Sequence, residues 1–276
     1  MALPSNARAV VTGAGSGLGR ALCQELARRG ARVLASDIDF EGAVGTVATL
    51  GSGAAHAVRC DVTKLSDVEQ LAIEAERVLG GVDLIINNAG VAVGGPVGEV
   101  PIESWQWIVN VNLWGVIYGC HVFVPRLRRQ RSGHILNVAS AAGLLSTPNL
   151  APYNATKAAV VALSETLYGE LAAEGVGVSV LCPTFFQTNI ADAGRLHADP
   201  AMLDMVRELM ASAKLQADGV ARAALDGVAR GALHIVPHAD GRWLWRFKRL
   251  SPSGFQRLTP KLLAWRAARR RSPGNP

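Results

Sequence analysis

Acidic residues run out before the chain does: beyond Asp240 there are ten Lys and Arg and not one Asp or Glu. The net charge of +6 over 276 residues therefore belongs to the C-terminal end, because residues 1–241 hold 18 basic and 22 acidic groups, a net of −4. A nucleic-acid binder carries its charge over a working face, so the basic total does not support that class. Cysteine is scarce too. Cys23, Cys60, Cys120 and Cys182 stand at least 37 residues apart without a C-x-x-C pair, which excludes zinc-ligand spacing and a disulfide framework and suits reduced thiols in the cytoplasm. No run of 18 apolar residues occurs, and MALPSNARAV lacks the charged-then-apolar order of a secretory leader, so neither a membrane span nor export is expected. The histidines at 56, 121, 134, 197, 234 and 238 show no ligand spacing, so no metal is expected; His197 reads as a solvated loop residue.

What is plentiful is apolar sequence, 49% against 18% charged, enough for a sizeable core. Seven short β-branched runs, at 8–12, 32–36, 56–60, 83–87, 134–138, 178–182 and 234–237, alternate with helical periodicity at 18–29, 65–79, 102–130, 153–173 and 216–229. This alternation predicts an α/β fold, a single doubly wound Rossmann domain with a seven-stranded parallel sheet. We expect the domain to span 1–241 and residues 242–276 to form a basic, aromatic extension. Residues 185–212 interrupt the pattern after the sixth strand. They hold Met202, Met205 and Met210 and are expected either to cover the substrate as a lid or to form a surface helix pair.

The first strand runs into TGAGSGLG, residues 12–19, which fits T-G-x-x-x-G-x-G and not the G-x-G-x-x-G fingerprint. Glycines there let backbone approach a pyrophosphate at a helix N-terminus, although a tight strand-to-helix turn needs them as well. Asp37 closes the second strand, 20 residues after Gly17, where a carboxylate accepts ribose hydroxyls and repels a 2′-phosphate. NAD is expected over NADP. Asp39 reads as the cap of the following helix.

With these features the sequence resembles the short-chain dehydrogenase/reductase family. The similarity runs from about residue 8 to 237 and continues through Asp61-Val62, the NNAG of 87–90, Asn112 in VNLWG, Ser140 in NVASAAG, YNATK at 153–157, and Pro183 with Thr188 in CPTFFQT. The resemblance implies a catalytic set of Asn112, Ser140, Tyr153 and Lys157. It also implies NAD contacts from Gly13, Ser16, Gly17, Leu18, Gly19, Asp37, Asp61, Val62, Asn87, Asn88, Ala89, Gly90, Tyr153, Lys157, Pro183 and Thr188. Tyr153 and Lys157, four apart, share a helix face. Bringing a phenol from pH ~10 to ~7 takes about 4 kcal/mol, work that Lys157 and the oxidised nicotinamide are expected to share. Tyr153 would then be the general acid/base, with Ser140 holding the substrate oxygen. Asn112 would complete a proton relay or, on its residue type alone, bond helix backbone. One departure stands out: Thr184 follows Pro183 where the family has Gly, which would narrow the nicotinamide side.

The surrounding loops offer Val91, Val93, Leu144, Leu145, Phe185, Phe186, Ile190, Leu196 and Met202, with Arg195 the one strong anion partner. A lipophilic alcohol, ketone or aldehyde is the expected substrate. An NADPH-dependent ketone or 3-oxoacyl reductase and a non-catalytic nucleotide sensor are the alternatives. The family resemblance implies a homodimer or homotetramer. In the extension, Phe255, Leu258, Leu262 and Trp265 form one stripe, for which docking on the protein itself and contact with an anionic membrane surface both remain open.

Overall fold

The computed structural model describes residues 6–51, 55–188, 190, 194–197 and 200–259. Seven parallel strands form the main sheet: β1 (Arg8–Thr12), β2 (Arg32–Asp37), β3 (Ala55–Arg59), β4 (Leu84–Asn87), β5 (His134–Val138), β6 (Gly177–Leu181) and β7 (His234–Ile235). Their order is β3-β2-β1-β4-β5-β6-β7. The winding reverses between β1 and β4, so their carboxyl ends open a crevice there. The helices are α1 (Gly17–Arg28), α2 (Phe40–Ala48), α3 (Leu65–Leu79), α4 (Ile102–Gln130), α5 (Ala141–Leu145), α6 (Ala151–Leu171), α7 (Pro200–Ala211), α8 (Ala217–Ala229) and α9 (Ala239–Leu250). A two-residue parallel pair, Val93–Gly94 with Arg195–Leu196, stands apart from the main sheet.

Alternation along the strands explains the two helix layers. Val10, Leu34, Ile85 and Ile135 face one side and pack on Leu71 of α3, Phe123 and Leu127 of α4 and Val160 of α6. Val11, Val33, Leu84, Ile86 and Leu136 face the other and meet Leu22 and Leu26 of α1 and Val220 and Leu225 of α8. Both faces are covered, so the strands carry no polar stripe. Helix α4 is long and apolar enough to cross a bilayer, yet it is a core helix in which Val116, Phe123 and Leu127 are buried. At the amino ends of the strands, Arg8 grips Asp83 through Nε (2.9 Å) and Nη2 (2.7 Å), tying β1 to the entry of β4. Burial opposes ionisation of Asp83, but the Arg8 hydrogen bonds prevail and hold its carboxyl below the usual range.

Two expectations change in detail. Helix α2, signalled in the sequence only by its cap, forms where Asp39 accepts a hydrogen bond from Gly42 N (3.2 Å). The boundary expected at 241 falls inside α9, which packs on the body, so the basic extension begins as an integral part of the fold.

His134 is 2% exposed. Its Nε2 lies 2.9 Å from Ser179 Oγ, whose own proton goes to Ala232 O, so Nε2–H must be the donor. Burial holds its pKa down to about 4. The native state thus favours the neutral ring. Its contribution to stability is complete above pH ~6.5 and is lost as pH falls toward 4, at most about 3 kcal/mol. Denaturant titrations between pH 7 and 4 should show this loss, and His134→Asn should flatten it. An unchanged pH slope in the variant would locate the loss elsewhere.

Candidate active site

The glycine loop between β1 and α1 is shaped by close approach. Gly13 has φ +65°, and a Cβ there would lie 2.7 Å from Ala89 Cα. A Cβ on Gly19 would overlap Gly13 O. These two glycines let α1 start directly against the β4 turn, so they serve packing first. Gly17 is different: its φ is +48°, and an added Cβ would meet nothing nearer than Thr188 Cβ at 3.7 Å. Ser16, the exposed N-cap of α1, makes no capping bond with its side chain, and the first turn of α1 carries no acid. The open cradle between Gly17 and Thr188, with the unspent N–H groups of Gly17, Leu18 and Gly19 at a helix N-terminus, fits a pyrophosphate.

Asp37 ends β2 beside this loop. Its Oδ2 accepts from Gly15 N (2.8 Å) and its Oδ1 from Asp39 N (3.0 Å), which fixes both oxygens while leaving each a further lone pair. Arg20 donates to Gly15 O and, through Nε, to Thr46 Oγ1 (3.0 Å), so it braces the loop from below. After β3, Asp61 accepts from Thr63 N (3.0 Å) and Thr63 Oγ1 (2.7 Å). Burial opposes the ionised form, but these bonds and Lys64 hold its pKa below the ordinary value. Val62 packs where Gly115 leaves room.

The 87–90 segment divides its labour differently from the expectation. Asn87 is 2% exposed and turns inward, its Nδ2 donating to Asn137 Oδ1 (2.8 Å), so its side chain does not line the cofactor crevice. Asn88 clamps β4 to the glycine loop: its Nδ2 donates to Thr12 O (2.8 Å) and Gly13 O (3.0 Å). The N–H groups of Asn88 and Ala89 are both spent on Thr12 Oγ1. Gly90 remains as the point of close approach, where a Cβ would stand 3.4 Å from both Asn112 Oδ1 and Lys157 Nζ.

Asn112 lies within a π-helical turn of α4, Asn110–Trp114, where Gly115 N donates five residues back to Asn110 O. Single π turns widen a helix and gather at functional sites. The turn aims Asn112 at the loop after β4, where its Oδ1 accepts from Val91 N (2.8 Å) and its Nδ2 donates to Val91 O (2.9 Å). Asn112 therefore bonds the backbone of another element, not that of its own helix. Lys157, 2% exposed, donates from Nζ to Val138 O at the end of β5 (2.9 Å). Burial pulls its pKa down to about 8. Nζ lies 5.8 Å from the centre of the Tyr153 ring.

Ser140 begins α5 as its N-cap, accepting from Ala142 N (3.1 Å) and lying 3.4 Å from Pro183 O as donor. Tyr153 opens α6 with Val91, Val93 and Trp107 in its apolar neighbourhood. Burial raises the Tyr153 phenol above its ordinary value, and a hydrogen bond with Ser140 offsets this only in part. Lys157 alone does not make the phenol acidic.

Thr184 resolves the departure from the family pattern. Its methyl points toward Gly241, where an added Cβ would stand 2.7 Å away, so the larger side chain fills space on α9 and not in the nicotinamide pocket. His238, not singled out in the sequence, holds this region together. Its Nδ1 accepts from Thr184 N (3.3 Å), its Nε2 donates to Leu215 O (3.2 Å) and its ring stacks near Phe186. Its only signal in the sequence is its place just after the last strand.

Several expected pocket residues lie elsewhere. Leu144 and Leu145 pack into the core with Phe255, and Phe186 is buried in the opposite layer. Arg195 stacks on Trp107, 4.3 Å from its centre, and His197 meets Ser104 Oγ (3.3 Å), so both bind the 194–197 strand to α4. Phe185, 44% exposed, and the half-buried Val91, Ile190 and Leu196 remain open. Within 185–212 the described portions include one helix, α7, not a helix pair; Met210 is buried, whereas the side chains of Met202 and Met205 fall outside the described residues.

Residues 7–198 match the model of the short chain dehydrogenase family, and the chain belongs to that family. It is an NAD(P)-dependent oxidoreductase. A solved short-chain dehydrogenase/reductase from Burkholderia phymatum in complex with NAD is 36% identical with a TM-score of 0.83, covering 98% of this chain and 97% of that one. The 3-ketoacyl-(acyl-carrier-protein) reductase from Brucella melitensis complexed with NADH is 31% identical, TM-score 0.74, over 85% of this chain and 98% of that one. Among curated relatives, the probable oxidoreductase EphD of Mycobacterium tuberculosis is 38% identical over 191 residues, which is 68% of this chain but only 32% of that protein, so the match spans about a third of it. An uncharacterized oxidoreductase of Staphylococcus aureus is 35% identical over 67% of this chain and 80% of its own length.

Asn112→Ala removes both bonds to Val91 and leaves the half-buried backbone N–H and C=O of Val91 without those partners, a loss of about 1–2 kcal/mol. Thermal unfolding of the variant should show this destabilisation, together with reduced turnover at temperatures where it stays folded. Wild-type stability in Asn112→Ala would contradict the bracing role.

Proposed function

We propose that this chain is an NAD-dependent dehydrogenase that interconverts a lipophilic alcohol and its ketone or aldehyde. The observation that carries the reading is the convergence of Ser140, Tyr153 and Lys157 beside a glycine cradle whose neighbouring strand ends in a fixed carboxylate, Asp37. NAD, when bound, supplies the hydride acceptor. Ser140 Oγ holds the substrate oxygen, and Tyr153 takes the hydroxyl proton in oxidation or donates it in reduction. Lys157, fixed by Val138 O, keeps a positive charge near the phenol at neutral pH. Asn112 keeps Val91 and the loop carrying Gly90 in register with this set.

Choice of NAD rests on Asp37, whose oxygens are already aligned by backbone donors and would repel a 2′-phosphate. Relatives crystallised with NAD and NADH support it. One observation favours NADP: Arg59 stands opposite Asp37 in the β2–β3 register and is exposed. The apolar neighbours of Tyr153 and the exposed Phe185 support a lipophilic substrate, and Arg195 is engaged with Trp107.

Initial rates with medium-chain and alicyclic alcohols should favour NAD over NADP by more than roughly tenfold, and Asp37→Ala should erode that preference. A preference for NADP, untouched by Asp37→Ala and abolished by Arg59→Ala, would overturn it. Because the phenol is held high, kcat/KM for oxidation should rise with pH while that for ketone reduction falls. Tyr153→Phe should cost at least about 100-fold in both directions. Parallel pH profiles would argue against Tyr153 as the shared proton carrier.

A further inference from the structure

Helix α9 has two unlike faces. Inward, Trp245 lies tilted against His234 with ring centres 5.0 Å apart, Phe247 meets the buried Phe255 at 5.9 Å, and Lys248 is drawn down to the body. Outward, Arg242, Trp243, Arg246, Arg249 and Leu250 are all exposed. At 100° per residue these five fall within one arc of about 120°. Trp243 is 66% exposed and Leu250 is 87% exposed, the latter unusual for an aliphatic residue on a well-packed helix. Among the described residues, Arg246 and Arg249 have no acidic partner; Arg249 lies over Trp245. The sequence beyond adds Arg257, Lys261, Arg266, Arg269, Arg270 and Arg271 and no acid.

We propose that this outward face of α9 docks on an anionic lipid surface. Arginines flanking an exposed Trp and Leu match both halves of a bilayer interface, the negative headgroups and the acyl boundary beneath them. A nucleic acid would answer the arginines but would leave Leu250 without a partner. The inward anchors hold the helix firmly, so the face is presented ready-formed.

Co-sedimentation of the full chain with vesicles of phosphatidylcholine alone, and of phosphatidylcholine with 30% phosphatidylglycerol (roughly the charge of a strongly anionic leaflet), tests this directly. Binding is expected to the anionic vesicles only and to weaken with salt. The double variant Arg246→Gln, Arg249→Gln should lower it roughly thirtyfold, at about fivefold per charge. Trp243→Ser with Leu250→Ser should lower it while leaving secondary structure intact. Equal binding by the variants, or none by the wild type, overturns the proposal. So does a Trp243/Leu250 variant that breaks up an oligomer in sedimentation velocity yet binds vesicles normally, or binding to a DNA duplex in place of vesicles.

A separate observation concerns Lys248. Helix α5 is only five residues long, with Ser140 at its start and Ser146 at its end in the left-handed region, φ +58°. Its last carbonyls are satisfied from the C-terminal segment: Lys248 Nζ donates to Leu144 O (2.8 Å) and reaches Ser146 Oγ (3.2 Å), and Gln256 Nε2 donates to Leu145 O (3.4 Å). An ammonium at a helix C-terminus also suits its dipole. We infer that Lys248 is a positioning residue for Ser140, an inference that rests on the role given to Ser140 above.

Lys248→Met is expected to lower kcat about tenfold with the KM for NAD unchanged, and Lys248→Arg to restore most of it. Unchanged kcat in Lys248→Met beside an impaired Ser140→Ala would sink the positioning role alone. Full activity in Ser140→Ala would sink the catalytic reading as well. Parallel loss of kcat, NAD affinity and thermal midpoint in Lys248→Met would mark a general structural role and also overturn the inference.

Discussion

The candidate active site hangs on one hydrogen bond, from Lys157 Nζ to the carbonyl of Val138. An ammonium with 2% exposure has to be held by something, and the acceptor here is the last residue of β5. The bond fixes α6 against the carboxyl end of β5 and thereby sets where Tyr153, one turn earlier, meets the turn that carries Ser140. Lys157 and Asn112 both close on Gly90, where an added Cβ would stand in contact with each at 3.4 Å. Asn112 reaches Val91 from within the π turn of α4.

This arrangement holds a charge next to a phenol without making the phenol acidic. Burial costs both groups their charged forms, lowering Lys157 and raising Tyr153. The free protein thus keeps Tyr153 protonated, which suits an acid. Acting as a base would require a further cation close by, which an oxidised nicotinamide would supply when bound.

Much of this was legible in the sequence because it rests on local rules. Periodicity located all seven strands of the sheet, and the T-G-x-x-x-G-x-G spacing placed the loop at the right helix N-terminus. What escaped was set by partners distant in sequence. Asn87 and Asn88 are alike as residue types, yet strand alternation sends one to Asn137 and the other to Thr12. Leu144 and Leu145 read as pocket residues because nothing nearby revealed that Phe255 would bury them. His238 had no motif, and its role exists only through Thr184, Leu215 and Phe186.

Thr184 shows how such a partnership is built from both sides. A threonine after Pro183 would crowd the pocket if its side chain faced inward. It faces α9 instead, and the residue that receives its methyl is a glycine, Gly241, with no Cβ to collide. The backbone N–H of Thr184 meanwhile finds His238, the residue that caps the start of α9. The departure from the family pattern and the acid-free C-terminal segment are thus one feature, not two. The same segment that carries the excess positive charge supplies the groove for Thr184 and the ammonium that ends α5. A chain ending at 241 would keep His238 and Gly241 but lose Lys248, and with it the donor that ends α5.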